Sequence, residues 1–253
     1  MNTIEIEKLC NELNNFIQTN DLQIKENYHL LAEKFQLIIQ KLLIEITQYL
    51  KNELFMQINE IPILANGSVL KGSTAMGFII EEIYTRIIKS SNIANQFIFP
   101  EETIDSAYDI KFNNDKVDLL CNLKVEKHGE IYLKKNNNKL SQNNGIVAGK
   151  ILQSEYALNI ENPKLYLVSK IPYIIDLDNS KLLLQQNKIT SIYLESFIWD
   201  GIKSDHRNWS KEFNPLSGRL QMPTKTKIGN YSISTIPSYS EIKTLIEQLA
   251  QSL

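Results

Sequence analysis

Four side chains in the middle of the chain have the types and the order to do chemistry together: Glu81, Asp109, Asn122 and Lys124. Glu81 stands four residues after Gly77, and Asp109 falls in a short alternating run. Asn122 and Lys124 are two residues apart, so a strand sets both on one face. Carboxylate and amide oxygens are donors for a hard divalent cation. An ammonium group beside them steadies a developing negative charge. Each residue also has a plain reading. A glutamate on a helix is usually a solvated face, and Asp109 ahead of Ile110 is an ordinary strand-edge charge. Lys124, between Leu123 and Val125, is the odd one, because a lysine in a buried strand must snorkel or be paired.

The elements that must position these groups follow from hydrophobic periodicity. Leu9, Leu13, Phe16 and Ile17 recur at helical spacing, as do Leu31, Phe35, Ile38, Leu42, Ile46 and Tyr49. The first 58 residues are therefore predicted as two helices, the second long. Pro62 and Gly67 mark a loop. Gly72 and Gly77 bracket a helix start, and Ile80, Ile83, Tyr84, Ile87 and Ile88 give that helix one buried stripe. The period then changes. Ala107 to Phe112 alternates, Asn113-Asn114-Asp115 is turn chemistry, and Val117 to Val125 alternates again. Leu119, Cys121, Leu123 and Val125 share one face, while Asp118, Leu120, Asn122, Lys124 and Glu126 share the other. This pattern predicts a β-hairpin with Asp109 on its first strand and Lys124 on its second. The Asn-rich stretch 134–144 reads as a mobile loop, and a helix is predicted over about 146–159. Leu165–Val168 and Ser191–Leu194 read as further strands. Residues 200–230 form a long polar stretch with Trp209 and Pro215, and loops of that length are often functional. Ser238 and Glu241 make a capping box for a last helix through Ile242, Leu245, Ile246 and Leu249.

Composition bounds the rest. At 253 residues and 43% hydrophobic content the chain can bury a full core. No window holds eighteen apolar residues, so no membrane span is expected. The start Met1-Asn2-Thr3-Ile4-Glu5 lacks the pattern of a secretory leader. Cys10 and Cys121 read as buried free thiols of a reducing compartment, which makes the cytoplasm the expected location. The net charge is −2, but it is unevenly spread. Residues 1–60 carry 9 acids against 5 bases, whereas residues 201–230 carry 6 bases against 2 acids. One basic face suffices to track phosphates. His128 and His206 form no zinc pattern with the two cysteines. Gly67-x-x-x-x-Gly72-Ser73-Thr74 lacks the lysine of a phosphate loop, and no Ser-His-Asp elbow is present.

A helix followed by a strand–turn–strand bearing an acid and then x-Lys resembles the PD-(D/E)xK nucleases. The resemblance covers about residues 72–126 and continues through the predicted helix 146–159 and the strand Leu165–Val168. Asn214-Pro215-Leu216-Ser217-Gly218-Arg219-Leu220-Gln221 is similar to an N-P-x-x-G-x-x-Q segment of some Type II restriction enzymes. The resemblance implies an α/β (α+β) fold: a restriction-endonuclease-like core of a central mixed β-sheet flanked by helices, with an N-terminal helical extension. Residues 1–60 would be that helical region, and 61–253 the nuclease core with its recognition loops. It implies a homodimeric, cytoplasmic Type II site-specific deoxyribonuclease of a restriction–modification system, which hydrolyses phosphodiester bonds in double-stranded DNA with Mg²⁺. Glu81, Asp109 and Asn122 would then hold the metal, and Lys124 would orient the attacking water or stabilise developing charge.

The family's second position is usually Asp or Glu, and here it is Asn122, with Glu81, Asp118 or Glu126 placed to compensate. A second register is also open: Asp109-Ile110-Lys111 is a literal D-x-K, with Asp105 or Glu101 as the first acid. DNA would be read by Arg207, Asn208, Lys211, Arg219, Gln221 and Lys225, with Asn143 and Asn144 as a second reader. Arginine addresses guanine, Asn and Gln address adenine, and lysines neutralise phosphate. The competing functions are a non-catalytic DNA-binding protein on a decayed nuclease fold and a repair-type PD-(D/E)xK nuclease. The long N-terminal helices would form a dimer interface or brace the core.

Overall fold

Buried positions three and four residues apart shape the N-terminal part of the chain. Helix α1 (Ile4–Thr19) buries Ile6, Cys10, Leu13 and Ile17. Helix α2 (Lys25–Tyr49) buries Tyr28, Leu31, Phe35, Ile38, Leu42 and Ile46 along one stripe. The computed structural model describes residues 1–55, 74–101, 108–127, 145–146, 162–176, 179, 181–196, 220–221 and 232–244. Among them the fold is mixed α/β, a mixed sheet flanked by helices. The strands are β1 (Glu53–Phe55), β2 (Phe97–Ile98), β3 (Ile110–Phe112), β4 (Asp118–Lys127), β5 (Gly145–Ile146), β6 (Lys164–Asp176), β7 (Lys181–Leu184), β8 (Thr190–Tyr193) and β9 (Leu220–Gln221). Helix α3 (Thr74–Lys89) lies between β1 and β2 in the chain.

Seven strands share one sheet in the order β1-β7-β6-β4-β3-β2, and β8 also pairs with β6. β4 and β6 run parallel in continuous register from Asp118↔Lys164 to Lys127↔Tyr173. The other pairs in this sheet are antiparallel. β5 and β9 form a separate two-stranded sheet. The two helices and the sheet share one hydrophobic core, in which Tyr28, Phe35 and Phe112 are fully buried. Each such side chain contributes about 1.5–3 kcal/mol when buried. Two tyrosine hydroxyls tie α2 to the strands: Tyr28 donates to the Lys164 carbonyl, and Tyr193 donates to the Ala32 carbonyl at 2.6 Å.

Several expectations hold. The hairpin is β3–β4, with Lys111 opposite Leu120. The capping box at Ser238 is formed, its N–H reaching Glu241 Oε2 at 2.7 Å and Glu241 N–H reaching its hydroxyl at 3.4 Å, and a helix covers 239–244. Others are corrected. The second helix stops at Tyr49, because Lys51 and Asn52 take positive φ (55° and 61°) and turn the chain into β1. Ile146 begins no helix but pairs with Leu220; the rest of the helix expected to 159 lies outside the described residues. Leu194 leaves the strand and starts a helical turn over 194–196. β4, by contrast, has the central, buried character expected of it. Strands on both sides and cover on both faces bury Leu119, Cys121 and Leu123, and equally Asp118, Asn122 and Glu126. Its alternation separates an apolar face from a polar one, and both are inside.

Candidate active site

β3 is shorter than β4, and the chemistry-bearing groups collect where it stops. The last backbone bond of the ladder is Asp109 N–H to the Cys121 carbonyl, at 3.0 Å. Beyond it the Asp109 side chain takes over, and its Oδ2 accepts the Leu123 N–H at 2.7 Å. A carboxylate thus replaces a carbonyl on an edge that would otherwise leave a donor unpaired. Lys124 turns to the same edge. Its Nζ donates to the Leu123 carbonyl at 2.9 Å and lies 3.6 Å from Glu81 Oε1.

Glu81 arrives from α3, which packs closely on β4. A Cβ at Gly77 would meet Val125 Cγ2 at 3.2 Å and Glu81 Oε1 at 3.9 Å. A side chain there would require Val125 or the helix to give by a few tenths of an ångström. Asn122 is buried on the polar face of β4, two residues from Lys124. The structure therefore brings Glu81, Asp109 and Lys124 together, with Asn122 on the adjoining strand face.

Burial dominates the electrostatics of this cluster. Burial pushes the Glu81 carboxyl up to about 7; Lys124 opposes the rise, and Asp109 adds to it. Burial also raises Asp109, against the pull of Lys124 and of the Leu123 N–H. Two neighbouring acids that hold their protons too tightly are relieved by a further cation. Among the described residues no group of three or more His, Cys, Asp and Glu side chains converges as a metal cage. The donor set fits Mg²⁺ all the same. That ion keeps several waters and needs only one or two carboxylates from the protein. Glu81 and Asp109 would hold it, with the Asn122 amide beside them.

The alternative register loses its lysine. Lys111 Nζ is bound to Asp118 Oδ1 at 2.7 Å, and Lys164 holds the other oxygen of that carboxylate. Burial lifts the Asp118 carboxyl, but the two lysines together outweigh it and keep it below the ordinary value. Asp118 is also six residues from Lys124, roughly 20 Å along a strand. Lys111 and Lys164 already engage Asp118, whereas Glu126 is buried two residues beyond Lys124 on the same strand face. Glu101 is described as an exposed residue; Asp105 lies outside the described residues.

Of the expected DNA readers, Gln221 is in β9, its Cα opposite Gly145. Asn143, Asn144, Arg207, Asn208, Lys211, Arg219 and Lys225 lie outside the described residues. Three buried charged residues went unnoticed in the sequence, Lys164, Lys170 and Glu195. Lys170 follows the apolar run that ended the expected strand. Glu195 lies in the helical residues 194–196, where its Oε1 accepts the Tyr166 N–H at 2.8 Å. Burial pushes its carboxyl up to about 8. Cys10 and Cys121 are buried thiols raised by desolvation, so neither is an activated nucleophile. Among the described residues no helix is long and apolar enough to cross a membrane. No protein-family model matches the chain, and no curated protein matches its sequence.

Proposed function

We propose that this chain is a magnesium-dependent endonuclease of the PD-(D/E)xK kind, cutting double-stranded DNA at specific sites as Type II restriction enzymes do. The observation that carries this reading is the meeting of Glu81, Asp109 and Lys124 beside β4, just beyond the end of β3. That arrangement is two oxygen donors and one ammonium fixed on paired backbone, as phosphodiester hydrolysis requires. When bound, Mg²⁺ supplies Lewis acidity toward the phosphate and lowers the pKa of a water. The chain's own groups do the positioning. Glu81 and Asp109 fix the cation, and the Leu123 N–H fixes the Asp109 carboxylate. Lys124, steadied by the Leu123 carbonyl, presents its remaining protons to a phosphate oxygen on which charge builds. The cation-rich segment 201–230 supports a DNA-tracking role. A palindromic target would call for two copies about a two-fold axis.

A non-catalytic DNA-binding protein is the second reading. Asn122 favours it, since an amide brings no charge to the metal. Plasmid DNA incubated with the full chain and Mg²⁺ decides between them. Discrete fragments are expected. Smearing would point to a repair-type or nonspecific nuclease, and tight DNA binding without cutting would overturn the enzyme reading.

A further inference from the structure

The parallel register of β4 and β6 sets Lys124 directly beside Lys170. Residues in direct register on adjacent strands point to the same face, with strands about 4.8 Å apart. Lys170 is 3% exposed, so its ammonium is almost wholly removed from water. Such a charge is costly unless negative charge lies close by. Among the described residues, the acids near this pair are Glu126, buried on the same face of β4, and the Glu81–Asp109 pair that Lys124 reaches. Two ammonium groups side by side also repel one another. Lys124 Nζ is found swung to the strand edge, on the Leu123 carbonyl and near Glu81.

From this juxtaposition we infer that Lys170 is a second cation of the same centre, a positioning residue that sets its charge and keeps Lys124 directed at the edge. Among the described residues, these three carboxylates, when ionised, outnumber the two ammonium groups by one negative charge. One divalent cation turns that excess into one positive charge, the complement of a single phosphodiester. Without Lys170 the loaded centre would be neutral, and its pull on an anionic backbone would be lost. The inference takes the ligand's identity from the nuclease reading, but its charge argument stands on the strand register alone.

The test is calorimetric titration of Mg²⁺ alone into the full chain, paired with plasmid cleavage, for wild type, Lys170→Met, Lys170→Gln and Lys170→Arg. Removing one positive charge beside the cation should tighten Mg²⁺ binding about tenfold in the Met and Gln variants. The same variants should cut at least tenfold more slowly. Arg should restore both toward wild type. A purely structural lysine would leave the Mg²⁺ isotherm where it was, and that result in a folded Met or Gln variant overturns the inference. If the wild type cuts DNA and the neutral variants match it in isotherm and rate, Lys170 is excluded while the nuclease reading stands. If Mg²⁺ binding tightens as expected and no variant or wild type cuts, the nuclease reading fails and the place of Lys170 stands. Absence of Mg²⁺ binding in every form overturns both.

Discussion

Proton release on magnesium binding is a direct consequence of the Glu81 environment. Burial lifts this carboxyl from 4.5 to about 7, with Lys124 opposing and Asp109 reinforcing. At neutral pH it is therefore about half protonated, and a cation must displace that proton. Below about pH 7 the apparent Mg²⁺ affinity should fall about tenfold per pH unit, and above it should level off. Asp109, raised in the same direction, makes the fall steeper on the acid side. Stability has the opposite slope. The folded state holds the Glu81 proton more tightly than the unfolded chain does. That contribution is fully present below the ordinary 4.5 and is lost as pH rises through about 7, roughly 3 kcal/mol in all. Magnesium should reverse the loss, so the Tm gain on adding Mg²⁺ should be larger at about pH 8 than at about pH 5.5. Titration calorimetry in buffers of different ionisation enthalpy counts the protons released, and thermal melts give the Tm gains. An Mg²⁺ midpoint indifferent to pH, with no proton released near neutrality, would refute the placement of Glu81 at the metal.

Three further outcomes are expected. Asp109→Ala should abolish cleavage and also cost roughly 1–3 kcal/mol, since it strips the Leu123 N–H of its acceptor. Asp109→Asn should lose cleavage while keeping the Tm within a few degrees, and urea melts with plasmid assays separate the two effects. Lys124→Met should lower the cleavage rate by orders of magnitude with little loss of stability, whereas Lys111→Met should cost roughly 1–3 kcal/mol and leave the rate intact. The reverse pattern would return the active site to the Asp109-Ile110-Lys111 register. Glu195→Gln should stabilise the protein above pH 8 by several kcal/mol and have little effect below 4.5, because the folded state holds this buried proton up to about 8; chemical denaturation across that range measures it.

Much of the fold was legible because local signals and global packing agreed. The stripe from Leu31 to Ile46 made a helix, and Asn113-Asn114-Asp115 made a turn between two alternating runs. Those signals were enough to bring Asp109 and Lys124 onto adjacent strands before any coordinates. Failures came where one element answers to two partners. β6 was expected to end at Val168, yet it runs on through Pro172 to Asp176. Pro172 is tolerated since it falls between partners on that edge: β8 pairs as far as Lys170, and β7 begins at Tyr173. β1 and β7 are short strands far apart in the chain, and only their pairing with each other and with β6 makes them strands. The importance of Lys170 was hidden for the same reason. Its neighbour Lys124 is 46 positions away in sequence, a relation fixed by register and not by spacing.

The parallel pairing of β4 and β6 has a consequence for how the molecule assembles. Asp118 and Lys164, joined at the start of this ladder, are separated by 46 positions, so a long loop must close before the centre of the sheet exists. Helices α1 and α2 and the β3–β4 hairpin are made from near neighbours in the chain and carry little of that entropic cost. They form early, and β6 docks late against a hairpin already bearing Asp109 and Lys124. The edge of β4 that receives β6 is apolar in every second residue, and it is exposed until that docking. During synthesis this edge is open to wrong pairing, and β6 completes the charged centre in the same step that protects the edge.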